Sequence, residues 1–325
     1  MNKKIYSILF SLFVFALVFL LYVTGRPANY VGFFEVKQGQ SLGEISKSLV
    51  GQKVLNNRYP FYLYVLISGK ANDLKTGEYS FSPKDNFIDI ASKIIKGDTY
   101  KIKITFPEGF NLKEMESRLE SSGLPLELGD FFVKDFKNDF DFLKNIPESV
   151  SLEGYLFPDT YFFAPNVKEK EIVEIFLQNF DKKFSQDLRD EAVKQKKEIS
   201  DIVTMASLIE KEVKTEEDKR LVSGIFWKRI EIGQPLQSCA TIAYVLNVDK
   251  WIYSYEDTRI VSPYNTYLNR GLPAGPICNP GLESILAALY PQKSDYLYYL
   301  STPEGKTIFS KTLEEHNMNK AKYLK

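Results

Sequence analysis

An uncharged, apolar run dominates the start of the chain, extending over residues 5–23 between Lys3-Lys4 and Arg26. Its length suffices to cross about 30 Å of hydrocarbon as a helix, and it contains neither proline nor glycine. We therefore predict a cytoplasmic tail over residues 1–4, a transmembrane helix over 5–23 and a linker over 24–32.

The charges beside this run predict its orientation. Lys3, Lys4 and the N-terminal amine outnumber Arg26, so the N-terminus is expected in the cytoplasm. This predicts a single-pass protein of the cytoplasmic (inner) membrane, with the rest of the chain on its outer, periplasmic face. A cleaved signal peptide is the alternative, although its apolar region is usually shorter, about 7–15 residues.

Three later segments share the pattern of a capped amphipathic helix. Each begins with Ser or Asn, carries an acid three residues on as in a capping box, and places apolar residues at positions i, i+3 and i+7. A strand-like run precedes each of them, at residues 33–37, 77–81 and 100–106. The helices are predicted to begin at Ser41, Asn86 and Asn111.

The patterns along the rest of the chain predict its fold class and domains. A highly charged segment over 168–198 has an apolar stripe at helical spacing and predicts one long helix with a solvated face. Together these patterns predict an α+β protein, with a small strand–helix subdomain over 33–108 and a larger mixed α/β domain over 109–325.

One predicted helix, over residues 200–213, carries two acids beside an almost continuous apolar run. At about 100° per residue, Glu210 and Glu212 each lie at an edge of the apolar stripe, on opposite sides. Partial desolvation there would raise the pKa of a carboxyl and favour a protonated acid that can donate to a glycosidic oxygen. Helical geometry does not choose between the two, and solvated acids paired with nearby cations are the alternative.

Composition narrows the function classes. Lys plus Arg equals Asp plus Glu at 42 each, and this balance argues against a nucleic-acid partner. His316 is the one histidine, so zinc sites that need two or three histidines are excluded. We expect no metal and no cofactor. The two cysteines, Cys239 and Cys278, leave one disulfide conceivable.

Several segments, taken in order, resemble the motifs of the YceG-like endolytic murein transglycosylases. The most specific is Met205 to Glu212, with its Glu-Lys-Glu end. The resemblance covers nearly the whole chain and is strongest from 151 to 320. The other matching segments are 153–161, 226–230, 235–238, Tyr244, 264–267, 271–277, 279–281, Ser284, Phe309 and 316–317.

The resemblance implies an activity and a chemistry. Members cleave nascent peptidoglycan glycan strands at the MurNAc–GlcNAc bond, leaving 1,6-anhydro-MurNAc ends and limiting strand elongation. It also implies that 33–108 is LysM-like and that peptidoglycan synthases are expected partners. The family's catalytic acid/base matches Glu212, and Glu210 would then support it.

Further residues in the matching segments are expected to bind substrate or support the site. Tyr264 to Tyr267 would line a saccharide groove, or else form a turn packed on the core. His316 would close a hydrogen-bond network, or else be structural. The full set of these residues is Glu210, Tyr155, Asp159, Gln237, Ser238, Thr241, Tyr264, Asn265, Thr266, Tyr267, Asn279 and His316.

One departure from the family leaves two other functions open. The family often has Asp-Pro where this chain has Cys239-Ala240, so a carboxylate that could assist Glu212 is missing. A catalytically weak wall-binding or synthesis-scaffold protein is the first alternative. The second is a hydrolytic muramidase, which needs a second carboxylate about 5–9 Å from the acid, and Asp159 is its candidate.

Overall fold

The computed structural model describes residues 3–24, 30, 32–248, 250 and 253–324. Over these residues the chain is a mixed α+β protein with twelve α-helices and six short strands. The strands form three two-stranded sheets, of which β1–β2 and β5–β6 are antiparallel. Most of the predicted linker over 24–32, and residues 1–2 of the predicted tail, lie outside the described residues.

The predicted transmembrane helix is wrong. A helix, α1 (Lys3–Thr24), does form over this stretch. A crossing helix needs about 20 consecutive and predominantly apolar residues, and within the described part of the chain none of the helices meets both the length and the apolarity required. The single-pass inner-membrane localisation, with an outer-face catalytic domain, depended on that helix and is corrected with it.

The chain divides into two compact units, the first comprising Met1–Ile102 and Phe162–Asn166. After α1 its elements are β1 (Phe33–Val36), α2 (Leu42–Gly51), α3 (Arg58–Ile67), β2 (Gly77–Ser80) and α4 (Phe87–Lys96). The register of β1 on β2 runs from Phe33 opposite Ser80 to Val36 opposite Gly77. Side chains from all these elements except α1 fill one core, including Phe34, Ile45, Phe61, Tyr79 and Ile90. The LysM-like character of this region stays a prediction.

The second unit comprises Lys103–Tyr161 and Val167–Lys325. It contains most of β3 (Ile102–Thr105), the start of β4 (Thr160–Phe163) and most of the helices. Short 3-10 helices lie at Leu128–Asp130, Val133–Asp135, Asp141–Leu143 and Asp257–Arg259. The remaining elements are α5 (Leu112–Ser121), α6 (Glu169–Lys183), α7 (Gln186–Lys194), α8 (Ile199–Glu212), α9 (Glu216–Glu231), α10 (Cys239–Leu246), α11 (Leu282–Leu289), β5 (Tyr298–Ser301), β6 (Thr307–Ser310) and α12 (Leu313–Tyr323).

The three predicted capping boxes are confirmed. Ser41, Asn86 and Asn111 each accept a hydrogen bond from the backbone N–H three residues on, and the acid at that position accepts one from the cap's own N–H. These reciprocal bonds satisfy N–H groups that would otherwise lack partners at the helix start, which is why α2, α4 and α5 begin where the pattern predicts.

The single long helix predicted over 168–198 is wrong, because the segment forms two helices. Helix α6 ends at Lys183, Phe184 leaves helical geometry with ψ +68°, and Ser185 precedes α7. The Phe184 side chain is completely buried. Its burial requires the chain to turn here, and charge patterning along the segment does not report that tertiary contact.

The core of this unit positions α8. Its stripe residues Ile202, Ala206, Ile209 and Val213 are buried as predicted, and the helix packs against α9 and α11. Val213 has extended backbone geometry and ends the helix. Glu212 is therefore the last helical residue, where the apolar packing stops.

Candidate functional site

Glu212 lies at the end of α8, and its carboxyl accepts hydrogen bonds from several donors. Its Oε1 accepts a hydrogen bond of 2.5 Å from the Ser238 hydroxyl. The Tyr299 hydroxyl and the Ala240 backbone N–H also donate to this carboxyl, and the Arg229 guanidinium lies near it. The segment that leads into α10 and the strand β5 thus converge on one side chain.

The environment of Glu212 favours the protonated acid. Burial raises the pKa of its carboxyl above the ordinary value, while the hydrogen bonds from Ser238, Tyr299 and Ala240 oppose the rise. Burial prevails because a charged carboxylate loses more hydration than these donors restore. A carboxyl with a raised pKa holds its proton to a higher pH than an ordinary carboxyl and can donate it.

Two open grooves meet at Glu212, which lines both of them together with Cys239. The first, which we call the lysine groove, encloses about 560 Å³. The second, the tyrosine groove, encloses about 850 Å³. The lysine groove includes Asn111, Lys113, Glu114, Lys211, Tyr244 and Lys250. The tyrosine groove includes Arg229, Gln237, Tyr267, Tyr298, Tyr299, His316 and Lys320.

Glu210 has a different setting from Glu212 and lines neither groove. Its carboxylate accepts hydrogen bonds from the Ser284 hydroxyl (2.6 Å) and the Gly281 N–H (3.0 Å). Its Oε1 also lies 3.4 Å from Nζ of Lys219, which is 3% exposed. Fully partnered in this way, Glu210 ties α8 to the start of α11 and to α9.

Ser238 is held in place by a network of hydroxyl groups. Its N–H donates to the Thr266 hydroxyl (3.1 Å), and its carbonyl accepts from the Thr241 hydroxyl (2.7 Å). Gln237 precedes it with a φ of +54° and donates its N–H to the Thr266 carbonyl (3.1 Å). The structure therefore brings Gln237, Ser238, Thr241 and Thr266 together next to Glu212.

The segment 264–267 divides between the groove and the core. Tyr267 lines the tyrosine groove, where its hydroxyl lies 3.0 Å from Sγ of Cys239. Asn265 is fully buried and donates to the carbonyls of Thr258 and Ile260, so it shapes the loop. Tyr264 contacts the ring of Tyr244 at 5.0 Å between centroids.

Behind the lysine groove lies a buried carboxyl, Glu153. It is 4% exposed and accepts hydrogen bonds from the Leu112 N–H and from the Asn279 amide. Burial raises its pKa to about 8, and the side chain of Tyr244 is also bonded to it. Asn279 accepts in turn from the N–H groups of Gly154 and Leu156, so its placement is structural.

Two predicted residues lie away from Glu212. Tyr155 is 1% exposed and packs against Phe142 and Phe180 in the core. Asp159 accepts from the Asn179 amide (3.1 Å), and Lys183 lies 3.6 Å away. Desolvation would raise the pKa of Asp159, but the Thr160 N–H, Asn179 and Lys183 outweigh it and keep that pKa low. Neither residue lines either groove.

His316 lies on α12 and lines the tyrosine groove. Its ring stacks on Tyr298 with centroids 5.4 Å apart. Burial, with the cations Lys320 and Arg229, lowers the pKa of the imidazole, so it is neutral at physiological pH. The predicted closing hydrogen-bond network does not form at Nδ1, which is buried without a partner among the described residues.

The residue set that the sequence predicts omits two groups that act on Glu212, the Tyr299 hydroxyl that bonds to it and the Arg229 guanidinium whose charge lies near it. Arg229 is 6% exposed and donates to the carbonyls of Leu236 and Leu297. Tyr299 lies in strand β5, and its hydroxyl donates a hydrogen bond to the Glu212 carboxyl. Arg229 falls in a segment that matches the family, so it could have been singled out, whereas nothing in the pattern around Tyr299 indicates its role. Cys239 and Cys278 are both free thiols, so the conceivable disulfide does not form.

The fold and the site together define a class of protein. A carboxyl of raised pKa that opens onto concave grooves is typical of the active site of an enzyme that uses acid–base chemistry. The family model described as YceG-like matches residues 34–322. The chain therefore belongs to the YceG-like family, as its motifs indicate.

Individual relatives agree with this assignment. An endolytic murein transglycosylase of Bacillus subtilis is 34% identical, over 89% of this chain and 84% of its own length. One from Streptococcus pneumoniae is 28% identical over 94% of this chain and 60% of its own length. A crystal structure of a YceG-like protein from Listeria monocytogenes superposes with a TM-score of 0.59 at 36% identity, covering 90% of this chain and all of that one.

Proposed function

We propose that this protein is a lytic transglycosylase that cleaves the MurNAc–GlcNAc bond of peptidoglycan glycan strands. The observation that carries the proposal is the Glu212 carboxyl, with its raised pKa, at the junction of two open grooves. Relatives that are named endolytic murein transglycosylases support the choice of substrate.

The proposed reaction uses Glu212 first as an acid and then as a base. The protonated carboxyl gives its proton to the glycosidic oxygen, the bond from that oxygen to muramoyl C1 breaks, and the GlcNAc-ended strand leaves. The carboxylate then takes the proton of the muramoyl C6 hydroxyl as that oxygen bonds to C1. The product is a 1,6-anhydro-MurNAc end, and Glu212 is protonated again.

The surrounding residues have distinct parts in this proposal. Ser238, Tyr299 and the Ala240 N–H hold the carboxyl and stabilise it while it is charged between the two proton transfers. Tyr267 offers a ring face to sugars in the tyrosine groove, where the ring of Tyr298 is already stacked on His316. Nascent strands as substrate, limitation of strand elongation and peptidoglycan synthases as partners are finer parts of the same proposal.

A catalytically weak wall-binding or scaffold protein is the second candidate. It is favoured by Cys239, which lines both grooves and stands where the family resemblance leads us to expect Asp. The hydrolytic alternative loses support, because Asp159 does not line either groove and is engaged by Asn179 and Lys183.

Product analysis tests the proposal. Purified glycan strands are digested with the full-length protein, and the new ends are identified by mass spectrometry. We expect 1,6-anhydro ends, which are lighter by one water molecule than the reducing ends that hydrolysis leaves. New reducing ends would instead support a muramidase, and strands that are bound but left uncut would support the scaffold.

A further inference from the structure

The lysine groove carries cations that have no acidic partner. Among its three lysines, Lys250 lies 3.1 Å from Asp257. Over the described residues, no ion pair joins Lys113 or Lys211 to a carboxylate, and both side chains are exposed. Their charges are therefore available to a ligand that enters the groove.

The acids in the same groove do not neutralise these lysines. Glu114 is held in the capping box of α5, where it accepts a hydrogen bond of 2.8 Å from the Asn111 N–H. Glu212 is bonded to Ser238 rather than to a lysine. With three lysines against these two acids, the lining of the groove has a surplus of positive charge beside the proposed acid.

The tyrosine groove has a different character. It is lined by Tyr267, Tyr298 and Tyr299, of which Tyr298 is stacked on His316 and Tyr299 is bonded to Glu212. The flat ring of Tyr267 suits a sugar face. Arg229, its buried cation, is already bonded to the carbonyls of Leu236 and Leu297. Lys320 also lines this groove, is exposed and forms no ion pair among the described residues, so this groove has one such lysine where the lysine groove has two.

We infer that the lysine groove binds the acidic peptide that branches from the muramoyl sugar, with Lys113 and Lys211 contacting its carboxylates. The inference rests on the proposed function and adds to it a preference for strands that carry their peptides. A muramoyl unit whose C1 faces Glu212 carries its peptide on the same ring. Among the described residues, the lysine groove offers two exposed lysines without an ion pair beside that acid, where the tyrosine groove offers one, Lys320.

The test compares two substrates with one enzyme. Peptide-bearing glycan strands, and the same strands after an amidase has removed the peptides, are cleaved under identical conditions. The quantity measured is kcat/KM for the peptide-bearing strands divided by kcat/KM for the stripped strands. We expect Lys113→Gln/Lys211→Gln to lower this ratio by between about threefold and about tenfold, as two exposed ion pairs allow. The ratio for the wild type should also fall as salt is raised.

Two further variants make the test specific to charge and place. Lys113→Arg/Lys211→Arg keeps both cations and should keep the ratio. Lys182→Gln/Lys293→Gln removes two exposed lysines outside both grooves and should leave the ratio at the wild-type value.

The outcomes separate this inference from the function beneath it. If the wild type releases no anhydro ends from either substrate, the proposed function is wrong and the inference falls with it. If both substrates are cut but the Gln variant keeps the wild-type ratio, the inference alone is overturned. The inference is also overturned if Lys182→Gln/Lys293→Gln lowers the ratio as much as Lys113→Gln/Lys211→Gln does.

Discussion

At the scale of single residues, the donors around Glu212 set the pH range in which it can act as an acid. Burial raises the pKa of its carboxyl, and the Ser238 hydroxyl opposes that rise by stabilising the charged form. Since the acid must be protonated to donate, activity is expected to fall as pH rises through this pKa.

Ser238→Ala should therefore move the alkaline limb of the kcat/KM profile to higher pH. Without the hydroxyl, the carboxylate loses a donor and the pKa of Glu212 rises further. Ser121→Ala, which removes an exposed hydroxyl bonded to the Arg118 carbonyl, provides the control and should leave the limb in place. A limb that moves to lower pH in Ser238→Ala contradicts this account of the site.

Glu153 predicts a pH dependence of stability rather than of activity. Its carboxyl has a pKa of about 8 in the folded chain because it is buried, against about 4.3 when unfolded. Between these values the folded state binds more protons than the unfolded state, so this group lowers stability as pH rises through that window.

Glu153→Gln removes this group and should flatten the decline in unfolding free energy between about pH 4.5 and pH 8. The measurement is urea unfolding at several pH values, comparing slopes rather than absolute stabilities, because the amide also loses one of the two acceptors that bond Leu112 and Asn279. An equally steep decline in the variant would show that the fold does not raise the pKa of Glu153 above its value in the unfolded chain.

At the scale of elements, α9 packs so closely against the backbone at Gln292 that Gly224 has no room for a side chain. A Cβ added at Gly224 would lie 2.0 Å from the carbonyl oxygen of Gln292. Alanine ordinarily favours a helix interior over glycine by about 1 kcal/mol, but here the steric overlap with backbone decides the sign.

Gly224→Ala is thus expected to destabilise the protein by about 1–3 kcal/mol, measured by urea unfolding. Gly43→Ala in α2 provides the matched comparison, since only the Ser41 hydroxyl oxygen lies near, at 3.9 Å. It should be as stable as the wild type or more so. Equal effects of the two substitutions would rule out the close approach of α9 to Gln292.

The elements also show what the sequence can predict. Helix starts at Ser41, Asn86 and Asn111 follow from local capping, and the burial of α8 follows from its apolar stripe. The break at Phe184 depends on burial of one ring in a tertiary core, and local patterning does not contain that information.

At the scale of the whole molecule, residues distant in sequence meet at Glu212. Periodicity placed Glu210 and Glu212 at the edges of one stripe but could not separate their roles. The structure separates them: Glu210 is tied to Lys219 and Ser284, whereas Glu212 faces the grooves. Tyr299, far along the chain in β5, joins the site through pairing and packing that no local pattern shows.

The transmembrane prediction over residues 5–23 failed for a different reason. It relied on the absence of charged residues over this run. The described helices do not reach the combination of length and apolarity that a crossing requires, and localisation inferred from that run fails with it.

The most direct test of the account is the cleavage rate of Glu212→Gln on purified glycan strands, beside the wild type, with unfolding curves to confirm an intact fold. Glutamine keeps the size of the side chain but has no proton to give and retrieve. We expect the release of 1,6-anhydro ends to fall by about a hundredfold or more. Release at close to the wild-type rate would contradict the central claim, because another group would then be the acid.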